Sequence, residues 1–165
     1  MTSPARREER VQVADLRVGC GEVWLTTIGL GSCVAIVLHD ATARVGGLAH
    51  ILLPSPTMSR DTNNRAKFPH SAVPLLLEKM TAEGAREARI QAKMVGGASM
   101  FAALLPVGGL QIGERNVLAT RHALEKARIP IVAQDVGGGH GRSVYFNVAT
   151  GEVEVRSLLK GNRVL

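Results

Sequence analysis

VWLTTIGLGSCVAIVLHDATARVGGLAHILLP, residues Val23 to Pro54, holds three strand-length apolar runs in close succession. Val23 to Leu30 is rich in strand formers and ends in Gly29-Leu30-Gly31-Ser32-Cys33. Val34 to Leu38 is an unbroken apolar run closed by His39-Asp40, and Arg44 to Leu53 resumes as a third. Runs of this length between turn signals predict strands. Their tight connections predict that they lie side by side, after a strand upstream, as an antiparallel meander. Upstream, Val11, Val13, Leu16 and Val18 suggest another strand, while Met1 to Arg10 carries charge of both signs and reads as a frayed tail.

Downstream, Pro54 to Lys67 has no periodicity and reads as a loop of about fourteen residues, a length usually functional or mobile. Val73, Leu76, Leu77 and Met80 then share one face of a helix that Gly84 stops, with Pro74 expected in its first turn. Arg89 to Val95 alternates as a strand running into Gly96-Gly97-Ala98-Ser99. A second helix spans about Glu114 to Arg128, with Val117, Leu118, His122 or Leu124, and Ala127 near one side, and Pro130 forbids its continuation. Pro130 to Val136 reads as a strand. After the glycine-rich turn Gly137 to Gly141, Ser143 to Val148 and Glu152 to Leu158 form a hairpin around Ala149-Thr150-Gly151. The expected fold is α/β: a mixed, largely antiparallel β-sandwich flanked by helices, forming one domain across residues 1–165.

Composition agrees with that size. The 165 residues are 45% hydrophobic but only 3% aromatic, so the core must be aliphatic. No continuous apolar run of the roughly 18 residues needed to span a bilayer occurs, and the N-terminus lacks the apolar stretch of an export signal. These features predict a cytoplasmic chain in which Cys20 and Cys33 stay thiols. A net charge of +6 invites an acidic partner. The basic residues are scattered, however, and one Trp, one Tyr and three Phe offer few stacking platforms, so nucleic acid is not expected.

Gly29 and Gly31 open a pattern like the dinucleotide fingerprint, but Val34 stands at the third glycine position and a strand follows instead of a helix. No phosphate loop occurs. Five histidines without a Cys pair at ligand spacing give no metal signal, and His39-Asp40 reads as a solvated turn. Cys33 directly follows a Gly-x-Gly-Ser turn, where a substrate carbonyl can approach the backbone. There the N–H groups around Gly31, Ser32 and Cys33 can meet a developing oxyanion. By its residues alone Cys33 is either an ordinary buried thiol or a nucleophile. If the second and third strands are neighbours, His50 returns to the level of Cys33, and the hydroxyl of Thr27 can reach its ring, whereas Thr26 points the other way. Gly96, Gly97 and Ser99 form either a wall of the same cleft or a tight strand-to-helix turn. Asp135 and Arg142 fit structural hydrogen bonds or an ion pair around the glycine-rich loop better than a substrate contact.

Several of these residues fall into ordered motifs. Thr27-x-Gly29-Leu30-Gly31-Ser32-Cys33, then Gly47-x-Ala49-His50-x-x-Leu53-Pro54, resembles the chemoreceptor glutamine deamidase family CheD. Gly96-Gly97-Ala98-Ser99-Met100-Phe101, Ile112-Gly113-x-Arg115-Asn116, and Asp135-x-Gly137-Gly138 with Gly141-Arg142-Ser143 are similar to the same family in the right order, so the resemblance runs from about Val11 to Leu159. It implies a hydrolase on an α/β sandwich related to toxin deamidases, with Cys33 as nucleophile, His50 as general base and acid, and Thr27 orienting His50. No metal or organic cofactor is implied. The implied reaction converts glutamines on the cytoplasmic helices of methyl-accepting chemotaxis receptors to glutamate through a thioester. Methylesterase activity and a CheC-type CheY-phosphate phosphatase partner are implied as well. Alternatives are a non-catalytic adaptor, or a cysteine amidase acting on other proteins. The family usually has an aromatic residue, a small residue and Asp after the long loop; here Phe68-Pro69-His70 stands there, with Phe68 an expected substrate contact.

Overall fold

The computed structural model describes residues 5–100 and 111–165. Among these residues, ten strands form two five-stranded sheets. The outer sheet is ordered β1 (Glu8–Arg10), β3 (Trp24–Leu30), β8 (Arg142–Asn147), β9 (Val153–Ser157), β10 (Gly161–Val164). The central sheet is ordered β2 (Leu16–Cys20), β5 (Val45–Ile51), β4 (Val34–Asp40), β6 (Gln91–Gly96), β7 (Ile131–Val136). β1 with β3 and β6 with β7 pair parallel, and the other neighbours are antiparallel. Helices α1 (Pro69–Ala82) and α2 (Ile112–Lys126) cover the central sheet on the face away from the outer sheet. The mixed, largely antiparallel α/β sandwich expected from the sequence is therefore present.

The burial of each strand follows from its layer. β4 is continuously apolar because both its faces are covered. Val34, Ile36 and Leu38 pack with Leu76 and Met80 of α1 and Leu124 of α2, while Ala35 and Val37 pack with Leu25, Val144 and Phe146 of the outer sheet. β8 has one covered face, and its residues alternate strictly between buried and half-buried. No helix among the described residues is long and apolar enough to cross a membrane.

Five expectations change. The meander breaks: β3 belongs to the outer sheet, β2 pairs with β5 instead of β3, and of the expected neighbours only β4 and β5 are adjacent. An irregularity between Thr27 and Leu30, with Gly29 at a φ of 77°, bends β3 so that the chain crosses to the central sheet through Gly31-Ser32. The tail is not frayed over Glu8–Arg10, which pairs with Trp24 to Thr26. Buried Val11 anchors it, and the Arg6 guanidinium sits 3.6 Å from the centre of the Trp24 ring. Helix α1 starts at Pro69, where a missing N–H is harmless, which places Pro74 in the second turn on the exposed side. Leu118 is 52% exposed, and α2 turns Gly113, Asn116, Val117, Thr120, Ala123 and Leu124 inward. Asp40 is buried rather than solvated. It accepts the N–H groups of Thr42, Ala43 and Arg86 and pairs with Arg89 at 3.0 Å, and despite the opposing effect of burial these partners bring its carboxyl down to about 2. β10 escaped the sequence reading because its residues are all exposed and carry no alternation.

Candidate functional site

Two sheets meet at His50. Its ring lies on β5, fully buried, and Nδ1 is 2.6 Å from Oγ1 of Thr27, which projects inward from β3 of the opposite sheet. The same hydroxyl donates to the carbonyl of Val11 at 2.8 Å. A hydroxyl has one proton, and a carbonyl can only accept. The Thr27 proton is thereby committed to Val11, so Nδ1 of His50 must carry the proton it shares with Thr27. Nε2 is left as the bare nitrogen, and it has no hydrogen-bond partner among the described residues. The main chain of His50 is tied as well, to Ala14 and Asp15. Burial pushes the imidazole down to about 4, which keeps it neutral near pH 7.

Cys33 sits one residue before β4, nearly buried, among the inter-sheet apolar residues that include Leu30, Ala35 and Val95. Ala35 lies directly opposite His50, so alternation puts Cys33 on the same face as the imidazole, one diagonal away. Such diagonals are on the order of 7 Å between backbones, a gap that a thiol and an imidazole span together. In the resting arrangement the sulfur makes no hydrogen bond to Nε2. Burial raises the thiol, partly offset by its own peptide N–H. The pair therefore rests as a neutral thiol and a neutral imidazole, not as an ion pair.

The turn before Cys33 is held by its carbonyls. Gly31 accepts from the N–H of Ala98 at 2.9 Å, Ser32 from the amide of Asn116 at 2.8 Å, and Cys33 from the N–H of Gly97 at 2.8 Å. In a planar trans peptide the N–H points opposite its C=O, so the N–H groups of Ser32 and Cys33 face away from those anchors. Gly96 and Gly97, at φ of 113° and 66°, hold this turn from behind. A Cβ on Gly96 would lie 2.3 Å from the Cys33 carbonyl oxygen. With its N–H engaged by Cys33, Gly97 serves the turn rather than an oxyanion. Ser99 gives its N–H to Gly138, within the loop clamped by the Asp135–Arg142 pair at 3.0 Å. Gly31, Ser32, Ser99, Met100 and Ile112 border an open, mainly apolar groove of about 420 Å³ beside the turn.

Phe68 is placed elsewhere. It is 1% exposed at the start of α1, so its ring packs in the interior instead of meeting a substrate, while His70 faces a separate groove between α1 and α2. Among the described residues, no three or more of His, Cys, Asp and Glu gather as a metal site would require. The sequence reading passed over Asn116 as a side chain with work of its own. Its signal was a polar residue on the inward stripe of a helix.

A family model described as CheD chemotactic sensory transduction matches residues 52–157, starting just beyond His50. The probable chemoreceptor glutamine deamidase CheD of Caldanaerobacter subterraneus subsp. tengcongensis is 45% identical over 152 residues, covering 92% of this chain and 94% of that protein. Its counterpart of the same name in Clostridium novyi is 41% identical over 158 residues, covering 96% and 98%. Among solved structures, a Neisseria meningitidis protein of family DUF152 aligns with a TM-score of 0.48 at 12% identity, over 81% of this chain and 63% of that one.

Proposed function

The chain belongs to the CheD family, and we propose that it hydrolyses the side-chain amide of glutamines on chemotaxis receptors, with Cys33 as nucleophile, His50 as general base and acid, and Thr27 orienting His50. The names of the curated relatives support the deamidase activity and the receptor substrate. The observation that supports the residue roles is the 2.6 Å contact between the sheets, which commits Nδ1 of His50 to Thr27 and leaves Nε2 without a partner among the described residues.

Chemistry follows from the resting protonation. As Sγ of Cys33 attacks the glutamine carbonyl carbon, Nε2 of His50 takes the thiol proton, so thiolate forms only as the bond does. The oxyanion is met by the N–H groups of Ser32 and Cys33, whose peptides are already held by their carbonyls. Imidazolium then returns the proton to the departing nitrogen, releasing ammonia and leaving a thioester. Water deprotonated by His50 cleaves the thioester to glutamate and restores the thiol. The open groove beside Gly31 and Ser32 receives the substrate backbone. A methyl ester at the same position would follow the same course with methanol leaving. A substrate on the cytoplasmic helices of a receptor supports a cytoplasmic location for the chain.

The test is a purified receptor cytoplasmic fragment incubated with wild type and with Cys33→Ala. Wild type should add about one dalton per converted glutamine with matching ammonia release, and Cys33→Ala should add none while remaining folded. Equal conversion by both would remove Cys33 as nucleophile. Conversion by neither would favour a non-catalytic role.

A further inference from the structure

Pairing between β4 and β5 ends at Val34 and Ile51, so the next rung, Cys33 opposite Leu52, is splayed. The N–H of Leu52 has turned away to the carbonyl of Lys67, and the Cys33 carbonyl is taken by Gly97. Across this open end lies one side chain from another element. Nδ2 of Asn116 donates to the carbonyl of Ser32 at 2.8 Å and to the carbonyl of Leu52 at 3.1 Å. Both neighbours are acceptors, which fixes the amide with its nitrogen toward them. Asn116 is fully buried, and its Oδ1 has no partner among the described residues. Helix α2 reaches this depth because of Gly113, where a Cβ would stand 2.3 Å from the carbonyl oxygen of Ala98.

We propose that Asn116 is a positioning residue for the reaction proposed above, its amide replacing the missing rung and so setting the distance between Cys33 and His50. The bridge joins the residue before the nucleophile to a residue two beyond the base. A buried acceptor left unpaired is a poor way to stabilise a helix on a sheet. An apolar side chain would fill the site without that penalty but would take the donor away from both carbonyls, so what accounts for Asn116 is the work of its two donors.

Asn116→Ala removes the bridge. Asn116→Asp keeps its size but turns an acceptor toward two carbonyls. Leu118→Ala, on the exposed side of the same helix, is the control. Circular dichroism and urea unfolding establish folding, the receptor fragment supplies kcat and KM, and peptide mass spectrometry follows iodoacetamide modification at Cys33 separately from Cys20. Displacing a reacting pair is expected to lower kcat roughly ten- to hundredfold in both Asn116 variants, with KM within about twofold. Modification of Cys33 should slow in parallel, and the control should match wild type. A folded Asn116 variant with wild-type kcat and wild-type modification rate would overturn the proposal. So would loss of the fold in both variants, because the residue would then be holding the fold and not the site. If wild type releases no ammonia, the deamidase reading fails by itself, and the modification rates alone decide the role of Asn116: slower in the variants sustains it, equal overturns it.

Discussion

Acid should destabilise this protein through His50, and the size of the effect follows from its burial. The imidazole stands at about 4 in the fold against an ordinary value of 6.5. Unfolded chains bind the proton at the higher pH, so stability is fully present above about 6.5 and is lost as pH falls toward 4. The whole loss amounts to about 3 kcal/mol, and about 2 kcal/mol of it falls between roughly pH 7.5 and pH 5. His50→Asn removes the titration while offering Thr27 an amide donor near the place of Nδ1. Urea unfolding of both proteins at several pH values isolates the contribution, since Asp40, His39 and every other titrating group is common to both. The stability difference between wild type and His50→Asn should narrow by about 2 kcal/mol over that range. Nitrogen-15 spectra of the ring at about pH 6 should show a neutral imidazole protonated at Nδ1. Parallel stability curves, or a ring that titrates near 6.5, would refute both the buried state and the tautomer argument.

Thr27→Val keeps the shape but removes the hydroxyl between His50 and Val11, and turnover should fall about ten- to hundredfold while Thr27→Ser restores most of it. An unchanged rate in the valine variant would separate Thr27 from the reaction. Asp40→Asn should destabilise by about 2–3 kcal/mol, less than a fully buried broken pair because Arg89 is partly solvated. Ammonia release per folded molecule should stay at the wild-type level, since Asp40 closes the far end of β4, roughly 20 Å from Cys33. Gly113→Ala forces a methyl group onto the Ala98 carbonyl, so a stability loss of about 1–3 kcal/mol is expected. Turnover should drop with it as α2 withdraws Asn116, and a variant with wild-type stability and rate would show that the helix has slack there.

How much of this was legible in advance differs between the fold and the site. The VAIVL run of β4 and the Ser143–Val148 arm of β8 were legible as strands, but that one is covered on both faces and the other on one came from the layers. Asp135 and Arg142 form the ion pair their placement suggested. Cys33, His50 and Thr27 were nameable from their motifs, and the Thr27–His50 contact is present. Phe68 was misread because an aromatic at a loop end looks the same whether it faces a ligand or the interior. Asn116 was invisible as a bridge because its two acceptors are backbone carbonyls, which every residue possesses.

The chain order of apolar runs, turn glycines and helix breakers determined which segments became strands and helices, since those choices rest on local sterics and on the two-residue and 3.6-residue periods. Which sheet each strand joined was beyond that reach. β3 looked like a member of a meander, yet it lies across the sandwich, and the hydrogen bond from His50 to Thr27 joins opposite sheets rather than adjacent strands. Pairing of that kind depends on how bends such as Gly29 close the layers around a shared interior, and on which buried donors then find acceptors. The protonation of the thiol and the imidazole was decided at the same level, because it is the packed interior, not the residue type, that removes water from them.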